Sequence, residues 1–295
     1  PRCYETGVLV DSFLVLKENC TDTLFYLFSA ISGQEVFRFG DKGRGVCEFY
    51  YPLFLSNSFA YDSLIIYDIP VGRLTKIDLH ALVENQDITK CVNSEHLYRN
   101  LNFMYNFNKI DSAFIGTFIE KDEGLFSFCN RNNGEIKNTD YVPYYFYEKG
   151  RKDAYCHHVL VSEKDNSIIV PFKYMNLINC YDLDGNLKVT YALDWIKEEI
   201  NTQIRVDEHT TVTFYRTYAT RNRCYLVWDG HKIEEELRKY PAKIVVMNWQ
   251  GELEKVYQLD NFADFIIPDE KQRMIYVGVY NAGLEFVEIY KYPML

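Results

Sequence analysis

The chain has 295 residues, 47% hydrophobic and 25% charged, proportions that belong to a globular protein with a sizeable core and exclude a disordered or fibrous one. Its formal net charge of −10 disfavours a nucleic-acid backbone or an anionic membrane as the main partner, since both select a basic surface. No apolar run approaches the roughly 20 residues that cross a bilayer as a helix.

The aromatic load is high, with 25 Tyr and 20 Phe, many beside Val or Ile, and it favours strands. In chain order, Gly7–Leu9 and Ser12–Lys17 read as a strand pair. Leu24–Ala30 and Glu35–Phe39 follow across a Ser32-Gly33 turn, completing a four-stranded meander. After a glycine-rich loop the pattern resumes with strands at Phe54–Ala60, Ser63–Asp68 and Arg73–Leu79. The register then loosens, and a short helix is expected near Asn93–Arg99, capped by Asn93 or Ser94.

Leu101–Ile110, Ser112–Glu120 and Gly124–Asn130 are strands, closed by a hairpin-type turn at Asn132–Glu135. A clearer cycle comes next: Tyr155–Ser162, Ser167–Tyr174, Leu177–Leu183 and Leu187–Leu193, with turns at Lys164–Asn166 and Asp184–Asn186. Asp194 caps an expected short helix with Ile196 and Ile200 on one face. Thr210–Thr217 and Arg223–Trp228 are strands, and His231–Tyr240 reads as a helix with Ile233 and Leu237 four apart. Lys243–Trp249 and Glu252–Leu259 form a hairpin, and the last cycle is Phe262–Pro268, Met274–Tyr280 and Leu284–Tyr290.

Two elements recur. Residues 32–39, 184–191 and 249–257 each carry a polar Gly turn into an alternating strand, the expected last hairpin of a unit. Residues 61–68, 164–170 and 270–277 each carry a polar turn into a buried strand, the expected first hairpin. About six units of roughly 45–50 residues fit the chain, the size of a four-stranded propeller blade. Such a meander cannot bury both faces alone, whereas neighbouring blades bury each other. The expected fold is therefore all-β: a single domain over residues 1–295, a six-bladed β-propeller of four-stranded antiparallel blades with a few short helices in connections. Residues near Arg2–Thr6 are expected to supply the fourth strand of the last blade.

The stretch Phe37-Arg-Phe-Gly-Asp-Lys-Gly-Arg-Gly-Val-Cys-Glu-Phe49 resembles the Gly-x-Lys-Gly-x-Gly-Pro-Gly-Glu-Phe signature that joins blades in NHL-type and TolB-like six-bladed propellers, especially those of Bacteroides-type bacteria. Gly40, Lys42, Gly43, Gly45, Glu48 and Phe49 match, while Val46 and Cys47 replace the usual Pro-Gly. The resemblance implies an exported protein of the periplasm or cell surface, often a lipoprotein, whose leader and lipid anchor are missing from a chain that opens at Pro1. It implies no reaction.

The eight cysteines are scattered, with no Cys-x-x-Cys pair and no zinc spacing, and read as small buried residues; an even count permits disulfides without arguing for them. Gly40–Gly45, with Lys42 and Arg44, could offer amides and charge to a phosphate, but lacks the Gly-Lys-Ser/Thr ending of a phosphate loop and reads better as a connection needing positive φ. His157 and His158 are adjacent on a strand, so their side chains leave opposite faces and cannot both face one metal. Arg216, Arg221 and Arg223, interleaved with Tyr215, Tyr218 and Tyr225, make a basic aromatic patch suited to a sugar or anion, or to Arg stems lying on Tyr rings. Tyr141–Tyr147 is the most aromatic stretch.

Propeller hydrolases of the lactonase type hold calcium with side chains from the starts of inner strands. Comparable positions here are Glu48, Asn102, His157 and Asp264. No nucleophile elbow or Cys/His signature appears. The favoured function is a non-catalytic binding module for an unknown protein or glycan, with Lys42, Arg44, Glu48, Asn102, His157, Arg216 and Asp264 as ligand candidates at the channel or its mouth and no obligatory cofactor. The alternative is a calcium-dependent, lactonase-like hydrolase.

Overall fold

The structure, a computed structural model, describes residues 2–118, 124–142, 155–193, 206–235 and 240–294. The first sheet runs β1 (Tyr4–Val10), β2 (Phe13–Glu18), β3 (Thr23–Ser29) and β4 (Glu35–Lys42), and a short β5 (Glu48–Phe49) adds to its edge in parallel with β4. The second is β6 (Pro52–Phe54), β7 (Leu64–Asp68), β8 (Arg73–Ile77) and β9 (Val92–His96), with helix α1 (Leu79–Asn85) between its last two strands. The third holds β10 (Met104–Lys109), β11 (Ala113–Phe118), β12 (Ser127–Asn130) and β13 (Ile136–Asn138). The fourth holds β14 (Leu160–Ser162), β15 (Ser167–Pro171), β16 (Leu177–Tyr181) and β17 (Leu187–Ala192).

The fifth is β18 (Thr211–Ala219), β19 (Arg223–Lys232), β20 (Lys243–Asn248) and β21 (Leu253–Gln258), and the sixth is β22 (Phe265–Asp269), β23 (Met274–Asn281) and β24 (Phe286–Pro293). In every sheet the spatial order follows the chain order; β4–β5 is parallel, while the hairpins within the blades, such as β1–β2, β11–β12 and β22–β23, are antiparallel. Six such meanders are the blades of a six-bladed β-propeller.

Burial follows from that stacking. The middle strands β7, β15 and β16 are buried on both faces, whereas the fourth strands β17 and β21 are largely exposed. Continuous apolar runs such as Leu64-Ile-Ile-Tyr67 therefore belong to strands covered on both sides, and alternating runs to blade rims.

Blades one, two and six form one compact unit, Pro1–Met104 with Asp264–Leu295, and blades three to five form a second, Tyr105–Ala263. In the first unit β1 and β22 lie side by side. A side chain at Gly7 would come within 2.5 Å of Ile267, so glycine there permits the close approach. A Cys3–Cys20 disulfide ties the start of β1 to the turn after β2. In the second unit the core between blades three and four gathers Ile115, Phe126, Tyr155, Val161, Val170 and Phe172.

The recurring Gly turns are the last hairpins of blades one, four and five, as expected. A side-chain oxygen at the end of the third strand accepts an amide from the turn: Ser29 from Ser32, Asp182 from Asp184 and Asn248 from Gln250. Gly251 takes φ +86°, and a side chain there would come within 2.9 Å of the Tyr191 ring of the blade before it, so this turn needs glycine for conformation and for space. The polar turns before β7, β15 and β23 are first hairpins.

Four expectations are corrected. Residues 92–96 are strand β9 rather than helix, because pairing with β8 and the Thr75–Ser94 hydroxyl contact (3.1 Å) outweigh local capping. The helix lies earlier, at α1, where Asp78 accepts the Ala81 amide and Leu79 and Leu82 are buried. Pairing with β7 places the strand at Pro52–Phe54, and Ser58–Ala60 is a tight 3-10 turn. His231 and Lys232 end β19, where cross-strand pairing with Val212 and Thr211 keeps them extended; residues 236–239 of the expected helix, and the whole of 194–200, lie outside the described residues.

Among the described residues the last blade has three strands. Arg2 adds one backbone bond, its carbonyl accepting Val287 N–H at 2.9 Å, while Tyr4–Val10 belongs to the first blade, where it pairs with β2 from Tyr4–Glu18 to Val10–Phe13.

Candidate functional site

The glycine-rich stretch is a joint between blades one and two. Gly40 takes φ +76°, and a side chain there would sit 2.7 Å from the Phe25 ring. Its amides are consumed internally: Lys42 N–H donates to Asp22 O (3.2 Å), Gly43 N–H to Phe49 O (3.1 Å) and Gly45 N–H to the Glu48 carboxylate (2.9 Å). From the second blade, Arg73 donates to the carbonyls of Gly45 (2.6 Å) and Glu48, and Asp68 accepts the amides of Tyr50 and Tyr51 (3.0 and 2.8 Å). A cradle for phosphate would need these amides open.

Lys42 is exposed and donates to Asn19 O (3.1 Å), and exposed Arg44 lies 5.4 Å from the Tyr50 ring centre. Glu48 folds back onto the loop, and a side chain at Gly43 would collide with it. Asn102 ends a 3-10 turn and packs against Gly72 in the β7–β8 turn. Asp264 accepts the Tyr280 amide at 2.7 Å, which fastens β22 to β23. Each of these side chains has a local structural task. Among the described residues, no three His, Cys, Asp or Glu side chains gather in a way that could hold a metal ion.

His157 is placed differently. The second unit contains a cleft of about 550 Å³, lined among others by Tyr105, Asn106, Thr117, Tyr155, His157 and Tyr174. These residues come from the starts of β10 and of the blade-four entry strand, the end of β11 and the β15–β16 turn. Antiparallel meanders bring all of those points to one edge of blades three and four. That edge carries the blade-to-blade connections, where loops supply binding groups on a rigid frame.

The lining is aromatic with a few aimed polar atoms. Tyr141 and Tyr155 rings meet at 4.9 Å, and Tyr155 also packs edge-on to Phe172 at 6.0 Å. Asn106 adopts φ +49° on β10, and its amide donates to Thr117 Oγ1 (3.1 Å) and to the His157 carbonyl (3.2 Å), so one side chain ties two other lining residues together. His157 bridges to Phe172 in an isolated antiparallel pair and donates from Nδ1 to the Tyr155 carbonyl. Its Nε2 is buried and makes no hydrogen bond of good geometry, although the Leu125 carbonyl lies near enough to the ring to favour a proton on it. Burial pushes the imidazole down to about 4, against the Tyr155 and Leu125 carbonyls that favour protonation. With Nδ1 protonated, the neutral ring leaves Nε2 as its acceptor.

His158 leaves the opposite face, as adjacency on an extended chain requires, and donates from Nε2 to the Tyr215 carbonyl at 3.1 Å. Burial, and then the Arg216 charge, push it down to about 3. Arg216 lies 4.2 Å from the Tyr215 ring centre and donates to its hydroxyl at 3.3 Å, so the basic aromatic patch is an Arg stacked on its neighbour. Lys173 joins it, with Nζ 5.1 Å from the Tyr215 ring centre and 5.0 Å from that of Tyr174.

Sequence reasoning found His157 and Arg216 but not Asn106, Thr117, Lys173 or Tyr174. A polar Asn inside the strand-like run Met-Tyr-Asn-Phe-Asn, and Lys-Tyr between two strand-like runs, were the available signals. Tyr141 lines the cleft, while residues 143–147 of the aromatic stretch lie outside the described residues.

No family model and no curated protein sequence matches the chain. Among solved structures, it is similar to a member of the DUF4221 family from Bacteroides vulgatus ATCC 8482, with TM-score 0.58 and 12% identity over 99% of this chain and 96% of that one. It is also similar to a protein predicted to be exported, from Bacteroides fragilis NCTC 9343, with TM-score 0.54 and 11% identity over 95% of this chain and 80% of that one. At these identities the likeness is one of fold, a propeller shared with proteins of Bacteroides.

Proposed function

We propose that this chain is an exported, non-catalytic binding propeller that takes a ring-shaped polar ligand, a glycan unit, in the cleft of blades three and four. The observation that carries the reading is the cleft itself, where Tyr105, Tyr141, Tyr155 and Tyr174 surround His157, whose buried Nε2 makes no hydrogen bond of good geometry. Tyrosine rings offer apolar faces to the faces of a sugar, and an acceptor nitrogen among them fixes the orientation of a hydroxyl. The Asn106 brace holds this lining before any ligand arrives, which lowers the entropy cost of binding.

Three observations support a periplasmic or cell-surface location. A disulfide between Cys3 and Cys20 suits an oxidising compartment, one fold neighbour is a protein predicted to be exported, and no helix among the described residues is long and apolar enough to cross a membrane. The blade-joining loop supports a TolB-like, NHL-type propeller, and a lipid anchor on the precursor accords with that resemblance.

Calorimetric titration of a panel of mono- and disaccharides tests the reading. Binding that disappears in His157→Phe, with thermal melts showing the variant folded and product analysis showing the sugar unaltered, is the expected outcome. Binding that survives His157→Phe moves the site elsewhere, and turnover of the sugar ends the non-catalytic reading.

A further inference from the structure

The cleft has a charged neighbour that none of its lining tasks explains. Lys173 follows β15 and is half-buried, and its amide donates to the carbonyl of Cys156, a lining residue, at 2.7 Å. Its Nζ stands beside the ring of Tyr174, another lining residue, and beside that of Tyr215. Among the described residues no carboxylate lies within ion-pairing distance of Lys173. The nearby groups increase the positive charge: Arg216 stacks on the same Tyr215 ring, and His158 lies in the field of both cations.

A chain of net charge −10 has acidic side chains in excess. A half-buried ammonium without a carboxylate partner, next to a second cation and beside residues that line the cleft, is placed to receive an anion. Thr213 makes the spot rigid: its hydroxyl contacts the carbonyls of Phe172, Lys173 and Met175 (2.7, 3.1 and 2.9 Å), and its amide donates to Lys173 O at 2.7 Å. The backbone that carries Lys173 is thus fixed from the neighbouring blade, while its ammonium rests on two tyrosine rings and meets no carboxylate among the described residues.

We infer that the cleft selects an acidic sugar, its ring against the tyrosine wall and its anionic group paired with Lys173. This rests on the reading of the cleft as a glycan site and adds the ligand's charge. Carboxylate and sulfate share the required chemistry, and the test separates them.

Galacturonic acid, galactose 6-sulfate and galactose are titrated separately into the wild-type protein at low ionic strength, and into Lys173→Gln and Lys173→Arg. An acidic sugar binds about tenfold more tightly than galactose, as one charge-assisted pair predicts. The advantage disappears in Lys173→Gln, survives in Lys173→Arg and shrinks with added salt. Whichever acid shows the larger advantage identifies the anion. If galactose and both acids bind equally, and Tyr174→Ala weakens all three alike, the cleft holds sugar and the inference about Lys173 is overturned. Should none of the three bind, the inference falls together with the glycan reading.

Discussion

Asp68 and Arg73 face each other across the β7–β8 hairpin, 3.4 Å apart, with 0% and 3% of their surfaces exposed. The pair also serves the preceding connection: Asp68 accepts the Tyr50 and Tyr51 amides, and Arg73 donates to the Gly45 and Glu48 carbonyls. A blade-joining loop with unpaired backbone groups is thus satisfied by a charge pair on the next blade. Arg73→Ala leaves a buried carboxylate and two orphaned carbonyls, and chemical denaturation should register a loss of about 3–5 kcal/mol. Arg73→Lys should recover little of it, because an ammonium cannot span carboxylate and carbonyls in one plane.

Acid should unfold the second unit early. Unfolded imidazoles bind protons near pH 6.5, whereas His157 and His158 do so only near 4 and 3 in the folded chain. Between those values the unfolded state holds more protons, so stability is complete above about pH 6.5 and declines as pH falls. The His157 contribution amounts to roughly 3 kcal/mol by pH 4. A stability profile from pH 7.5 to 4 should therefore flatten in His157→Gln. An unchanged slope would show that this imidazole is not held neutral by the fold.

The Cys3–Cys20 bond closes a short loop around β1 and β2. Removing it as the paired Cys3→Ser, Cys20→Ser variant should cost about 3 kcal/mol by the loop-entropy relation. Because β1 also packs beside β22, amide exchange should rise first in β1 and β22. Exchange that rises evenly over the chain would contradict this.

Gly251→Ala forces a side chain into φ +86° and against Tyr191, and should lower stability by about 1–3 kcal/mol. Tyr191→Ala in the same chain makes room but leaves the backbone strain, so only part of the loss should return. Full recovery would make space, not conformation, the reason for glycine.

Millimolar calcium, or a chelator, should leave the melting temperature unmoved, since Glu48 and Asp264 spend their carboxylates on backbone amides. A rise of several degrees with calcium would restore the hydrolase alternative.

Much of this architecture is local and so was readable from residues alone. Ser29, Asp182 and Asn248 with their following glycines specify tight turns through their own side chains, and runs such as Leu64–Asp68 declare burial on both faces by composition. Those signals repeat at blade spacing, which is why the propeller could be expected. Wherever two conformations compete locally, partners decided. Residues 92–96 extend because β8 offers a ladder, and Glu48 points into its own loop because the Gly45 amide is within reach. The cleft was the least legible part. Tyr105, Thr117, His157 and Tyr174 come from four separate points in the chain, and only antiparallel pairing brings them to one edge. Composition settles what a strand can bury, but convergence of distant side chains is a property of the assembled sheets, and no single stretch of chain carries it.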